Sequence, residues 1–486
     1  MSENKSIMKN VLYKIMLNVF NIIVPIIIGP YAYRIMGPTL IGRVSYAESI
    51  YTYFLIFASF GIYTYGIREV SRIRDDKEKV SKLFTSLFTI SFIANISTVI
   101  VYLIFIFVKF RGTVLFPILL IYSVNLFLYV FYVEWLCEAN ENYNFIAIKT
   151  MVIRLIYIVL LLTLVKTKDD LLIYVSLNTL LFLLNYIVSF IYVKRRVKFN
   201  FKNLEIKRHI KPLLIIVVMS NASILFGQLD KVMLGTYTNE AMVGYYSTSQ
   251  LITSIVNSLL LSIIYVTIPR LSHVIANETD AAYESLLEKI CRNYFAFLFP
   301  CAVGLFSLAN EIILLYGGKS FAPAISVLRI FSLFLIVSGI EFIFTNQVFY
   351  VKRQERKAVK IILGGGLLNI ILKFILVHFK ILNPHTAIIT TTISYTCLIT
   401  AEYIFTKKVL KVKFNMFKFD NIKYFFISLL FIPTVYVIKL VIHRTILVAI
   451  VSVIACAALY SIILYIIKDP VLMEILVRFK IVKAEK

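Results

Sequence analysis

Between Val11 and Ile467 the chain carries about fourteen apolar runs, each long enough to cross a bilayer, with short connectors between them. That repetition makes lipid the solvent for most of the molecule. In hydrocarbon every backbone N–H and C=O must find a partner within the protein. Runs of about twenty residues therefore form helices, whereas a barrel would show weaker ten-residue alternations. With 60% hydrophobic and 16% charged residues over 486 positions, no sizeable soluble domain remains. The expected fold class is all-α: a polytopic membrane protein of about 14 transmembrane helices, in two six-helix lobes plus two C-terminal helices.

The expected spans are 11–33, 42–66, 83–108, 113–137, 146–165, 171–193, 212–235 and 241–268, then 289–315, 324–350, 359–379, 385–406, 422–442 and 445–467. The net charge of +25 follows this layout. One alternate set of connectors holds Arg68, Arg72, Arg74, Lys77 and Lys79, then Lys194 to Lys211, Lys352 to Lys360 and Lys407 to Lys423, besides a basic C-terminal tail. The opposite set holds few cations, among them Lys109, Arg111, Lys166, Lys168, Lys319, Lys380 and Arg444. By the positive-inside rule the rich set is cytoplasmic, and an even number of spans puts both termini there. The positive charge thus reads as topology beside anionic lipid rather than as nucleic-acid binding. The first run follows Lys5 and Lys9, outlasts a signal peptide and lacks a small-residue cleavage site, so it is expected to stay as the first span.

The longest hydrophilic stretch, Lys194 to Lys211, suggests lobes at 1–205 (spans one to six) and 206–415 (spans seven to twelve), with 416–486 holding spans thirteen and fourteen and a cytoplasmic tail. An internal echo supports the division. Arg34-Ile35-Met36-Gly37, then Gly42, Tyr46 and Glu48, is echoed by Lys231-Val232-Met233-Leu234-Gly235, then Gly244, Tyr246 and Gln250, and Gly42 to Glu48 spans the same distance as Gly244 to Gln250. Two lobes that both begin from the cytoplasm make a parallel repeat, which predicts a cavity between them and alternating access by rocking. Pro25, Pro30, Pro38, Pro117, Pro300 and Pro433 punctuate spans or their ends, either as hinges or as static kinks.

Ionisable groups within the spans carry the sharpest functional signal, because each costs roughly 2.5 to 3.5 kcal/mol at a helix centre. The candidates are Arg34, Glu48, Glu134, Arg154, Asp230, Lys231, Arg329, Glu341, Lys373 and Glu402. Asp230 and Lys231 are neighbours on a helix and about 100° apart around it, so at least one needs a partner on another span. Arg34, Arg154 and Lys231 either line a positive cavity suited to phosphate groups, as candidate substrate-binding residues, or neutralise acids such as Glu48, Glu134 and Asp230. Glu48, Asp230 and Glu341 are candidates for shaping the cavity or exchanging a cation.

Enzyme chemistry finds little support. The five histidines, His209, His273, His378, His385 and His443, lack ligand spacing, there is no phosphate-binding lysine loop for ATP, and no long outward loop offers a catalytic platform. The five cysteines, Cys137, Cys291, Cys301, Cys397 and Cys456, fall in or beside apolar runs without paired spacing and read as small core residues. No catalytic residue, metal or cofactor is expected.

Four strings carry a family resemblance: GPTLIGRVSYAE from Gly37 to Glu48, YGIREVSRIRDDKEK from Tyr65 to Lys79, EWLCEANENYNFIAIKTMVIR from Glu134 to Arg154, and QLDKVMLG from Gln228 to Gly235. With the Pro269-Arg270-Leu271 exit of the eighth span, the chain resembles Wzx-type polysaccharide flippases of the multidrug/oligosaccharidyl-lipid/polysaccharide exporter superfamily. The resemblance implies transport of undecaprenyl-pyrophosphate-linked oligosaccharide repeat units across the bacterial cytoplasmic membrane, for capsule or O-antigen. It also implies a polysaccharide polymerase and a chain-length regulator as partners besides membrane lipid. Two alternatives stay open: a multidrug or cation exporter of the same superfamily, whose cavity would be acidic, and a membrane-embedded repeat-unit polymerase.

Overall fold

The computed structural model describes residues 2–478 apart from Asn203 and Phe417; the basic tail from 479 onward lies outside the described residues. The expectation of an all-α membrane protein is borne out, with no strand among the described residues. In chain order the helices are α1 Ser2–Ser59, α2 Ile62–Ile73, α3 Lys77–Lys109, α4 Phe116–Leu128, α5 Glu134–Ala139, α6 Tyr143–Leu164, α7 Leu171–Lys194, α8 Ile206–Tyr237 and α9 Glu240–Asn277. They continue as α10 Asp280–Ser307, α11 Ala309–Gly317, α12 Ala324–Phe342, α13 Glu355–His378, α14 Pro384–Lys408, α15 Phe419–Leu429, α16 Phe431–Val441, α17 Thr445–Ile466 and α18 Pro470–Arg478.

Among the described residues twelve helical stretches are long and apolar enough to cross a membrane. The 58-residue α1 carries the first two expected runs and α8 carries the seventh, which reconciles that number with about fourteen runs. Side chains such as Val108, Val266, Val441 and Ile466 stand largely bare on the helix surfaces, as lipid-facing positions require.

The departures from the expected spans have local causes. Gly37 adopts φ 70° and ψ 174°, so α1 bends there, and Pro38 starts its second limb without needing a hydrogen-bond donor. The second run stops at Ser59 instead of 66, because Phe60 and Gly61 both take left-handed φ values. α2 then runs as a separate amphipathic helix, with Ile62, Tyr65, Gly66 and Val70 buried. The fourth run is broken between Leu128 and Glu134 by a short 3-10 turn. Asn95 of α3 donates to the Leu126 carbonyl at 2.8 Å, beside the Tyr129 N–H that the same carbonyl accepts at the break. The thirteenth run bends between α15 and α16, where Pro433 cannot donate to the carbonyl of Leu429. Of the cysteines, Cys137, Cys291 and Cys456 are buried as expected, whereas Cys301 and Cys397 are exposed.

The chain packs as two compact units, Met1–Gly244 and Tyr245–Lys486. Within the first, Trp135 of α5 lies against Gly66 of α2, with Phe84, Leu136 and Leu213 in the same core. Lys149 of α6 donates to Glu134 and, at 2.8 Å, to Ser189 of α7, so a buried ion pair ties three helices together. In the second unit, Lys439 of α16 meets the buried Glu311 of α11 at 3.0 Å, and Val303, Leu308, Phe431, Val435 and Cys456 form a shared core.

Candidate functional site

One group of charged residues of the first unit lies on the second limb of α1 and toward the end of α8. From Val44 to Tyr51 every side chain is buried except Glu48, which is exposed. Lys231 of α8 is 7% exposed and Asp230 is fully buried. Glu48 and Asp230 both act on the charge of Lys231. Neighbours on a helix point about 100° apart, and Glu48, on α1, is a charge from another span that acts on Lys231.

Four tyrosines lie within reach of the charges of this group. Tyr51 stacks on Tyr122 with ring centroids 5.2 Å apart, and Tyr51, Tyr122 and Tyr174 lie in the field of Glu48. Tyr53 lies in the field of Asp230. Aromatic faces and a few charges at one place suit a sugar and its phosphate, because rings stack on rings and charge-assisted bonds hold the anion.

Beside the group, α1 is clamped to the end of α8 and the start of α9. The Tyr46 ring lies on Gly235, where any Cβ would enter the ring, and the Tyr46 hydroxyl is 2.8 Å from Thr236 Oγ1. Arg43 donates from Nε to Glu240 Oε1 at 3.0 Å and from Nη2 to Oε2 at 2.8 Å. A Cβ on Gly42 would fall on the Glu240 carbonyl, and one on Gly244 would fall on the Pro38 carbonyl. The contact is reciprocal: each glycine meets the carbonyl four residues before the other. These are the two glycines that the sequence echo aligns.

Of the residues singled out from sequence, the structure brings Glu48, Asp230 and Lys231 together. Arg154 is half-buried on α6 beside Tyr157, whose hydroxyl donates to Asn178 Oδ1 at 2.8 Å. Arg34 is exposed on the first limb of α1, three residues before the bend. Glu341 is buried in the second unit, where it shares the Thr345 hydroxyl with Glu402. Glu134 pairs with Lys149, and Arg329 sits 5.7 Å over the Phe306 ring. Sequence reasoning missed Arg43, Glu240 and Lys149; the equal offsets of Gly42 and Gly244 were the one signal pointing to the first two.

Residues 7–275 match the family model described as polysaccharide biosynthesis protein, more than half of the chain. A candidate O-antigen transporter of Escherichia coli (strain K12) is 23% identical over 421 residues, covering 82% of this chain and 97% of that protein. Another, of Shigella dysenteriae, is 21% identical over 378 residues, covering 76% of this chain and 93% of its own. Among solved structures, the lipid II flippase MurJ in an inward closed conformation aligns with a TM-score of 0.70 at 16% identity, covering 94% of this chain and 99% of that one. An inward-facing multidrug resistance transporter of the MATE family aligns with a TM-score of 0.60 at 16% identity, covering 81% and 93%. The resemblance read from the sequence strings is borne out by these matches.

Proposed function

This chain belongs to the polysaccharide biosynthesis protein family, and from that premise we propose that it is a flippase carrying undecaprenyl-pyrophosphate-linked oligosaccharide repeat units across the cytoplasmic membrane by alternating access. The relatives carry transporter names, which supports transport over enzyme chemistry, and the fold is shared with a lipid II flippase and a multidrug resistance transporter. The observation that carries the reading is the group of Glu48, Asp230 and Lys231 among tyrosines, where charge within lipid-spanning helices is costly to keep without a polar ligand.

In this proposal Arg34 and Arg154 supply positive charge to the pyrophosphate. Lys231 stays neutralised by Glu48 and Asp230 until the headgroup arrives, and the tyrosines stack on sugar rings. Residues 1–205 and 206–415 are the lobes that rock, 416–486 is an appendage, both termini are cytoplasmic, and a polymerase and chain-length regulator take the product onward. Because the headgroup is anionic and the cell interior negative, outward movement gains roughly 2.3 kcal/mol per charge per 100 mV.

Deleting the protein and asking on which membrane face the lipid-linked oligosaccharide accumulates tests the reading. Accumulation on the inner face supports translocation; accumulation on the outer face points to polymerisation and overturns it.

A further inference from the structure

In the second unit α12 ends at Phe342 and the chain rewinds into a π-helix over Ile343–Tyr350, a form found mostly as single turns at functional sites. The wider turn sets Thr345 between two carboxylates. Its Oγ1 lies 2.6 Å from Glu341 Oε1 and 3.2 Å from Glu402 Oε1 of α14. Glu341 is 7% exposed, Glu402 is fully buried, and Glu402 Oε2 has no hydrogen-bond partner among the described residues.

Hydrogen counting decides what this arrangement holds. A threonine hydroxyl has one hydrogen to give and lone pairs to receive. If both carboxylates were ionised, Thr345 could serve Glu341 and would leave Glu402 charged, buried and without a donor, an arrangement strongly disfavoured at low dielectric. One added hydrogen on Glu402 Oε1 removes the conflict. Glu402 then donates to Thr345 Oγ1, and Thr345 donates to Glu341 Oε1. The 2.6 Å separation is that of a direct hydrogen bond between hydroxyl and carboxylate.

We propose that Glu402, Thr345 and Glu341 form a proton-binding site inside the membrane, with the proton resting on Glu402 and able to pass to Glu341 through the Thr345 hydroxyl. In that passage the Thr345 hydrogen goes to Glu341 while the Glu402 hydrogen goes to Thr345. The hydroxyl is restored and the negative charge moves from Glu341 to Glu402. The surroundings leave this exchange undisturbed. Glu341 is the charge acting on Glu402, and from α10 the buried Tyr294 lies in the field of Glu341. α14 adds the buried Thr406 one turn beyond Glu402. On α13, which also packs against the π-helix, the Lys373 ammonium is engaged by the Ala387 carbonyl and by Thr390 and Thr391, about three turns along α14 from Glu402. Taken with the transport reading, on which this role alone rests, the site makes the proton the ion exchanged for the headgroup.

Infrared difference spectra of the full-length protein in lipid nanodiscs, recorded without substrate at neutral pH in light and heavy water, test the site itself. The expected result is a carboxylic-acid carbonyl band that shifts on deuteration, is lost in Glu402→Gln, and is unchanged by added sodium at constant pH. No such band in the wild-type protein, its persistence in Glu402→Gln, or its displacement by sodium would overturn the proposal. Thr345→Val keeps the shape and removes the bridge, so the band should stay while moving in frequency; an unmoved band would contradict the relay. Since these spectra need no oligosaccharide, their failure is distinct from failure of the transport reading.

Discussion

Arg43 grips Glu240 through two parallel hydrogen bonds, 3.0 and 2.8 Å long, and so joins the residue after Gly42 to the residue one turn before Gly244. The fork of the guanidinium matches the carboxylate, and both side chains remain about one-fifth exposed. Partial exposure limits the pair to about 1 kcal/mol. Arg43→Ala and Glu240→Ala should each weaken this clamp by a few-fold in equilibrium terms, read as faster disulfide trapping or solvent labelling of nearby engineered cysteines. The reversed pair, R43E with E240R, should recover most of the loss. No recovery would mean that the two residues act separately.

Gly42→Ala and Gly244→Ala should be far more damaging than loss of the ion pair. The added methyl group would fall on backbone, which cannot rotate away, and overpacking of this kind costs about 1–3 kcal/mol or more. Gly304→Ala and Gly364→Ala are matched controls, since a Cβ at either position meets nothing within 4 Å. Thermal unfolding in detergent should separate the two pairs; equal effects would count against the reciprocal contact.

Lys149 and Glu134 are bound to each other in the interior, with Ser189 bridging them. Removing one partner strands a buried charge, so Lys149→Met or Glu134→Leu alone should cost about 3–5 kcal/mol, and the double variant should cost less than either. Yield and melting temperature check this. A double variant as poor as the sum of the singles would show that the pair is not coupled.

His209 stands at the start of α8, before the apolar run, with Nδ1 2.7 Å from the Tyr65 hydroxyl. Burial, followed by the adjacent Arg208, holds its imidazole below the ordinary histidine range. The unfolded chain therefore takes up this proton first as pH falls. The stability tied to neutral His209 is full above about pH 6.5 and is lost on acidification through that value. Melting temperature should fall between about pH 7 and 5, and His209→Gln should flatten that slope. An unchanged slope in the variant would remove His209 from the pH response.

The helices were legible because each apolar run is a local property of the chain. Their interruptions were less so. Gly37 and Pro433 announce themselves by residue type, whereas the break between Leu128 and Glu134 contains no proline or glycine and shows only in its turn and in Asn95 reaching the Leu126 carbonyl. Costly charges were also visible as a set, but their pairing was not. Glu48 acting on Lys231, Glu341 and Glu402 sharing the Thr345 hydroxyl, and Glu134 pairing with Lys149 depend on how each helix is rotated about its axis. That rotation is set by packing against neighbours distant in sequence, which periodicity within one span does not record.

Reconstituting the purified protein into vesicles loaded on one leaflet with undecaprenyl-pyrophosphate-linked oligosaccharide, and following headgroup exposure on the other face, tests translocation most directly. The expected result is protein-dependent appearance of intact headgroup on the far side, slowed at least tenfold by Arg154→Glu or Lys231→Glu in well-folded protein, a loss of about 1.4 kcal/mol or more. Headgroup that stays where it was loaded, or that is joined into longer chains instead of crossing, would contradict the account.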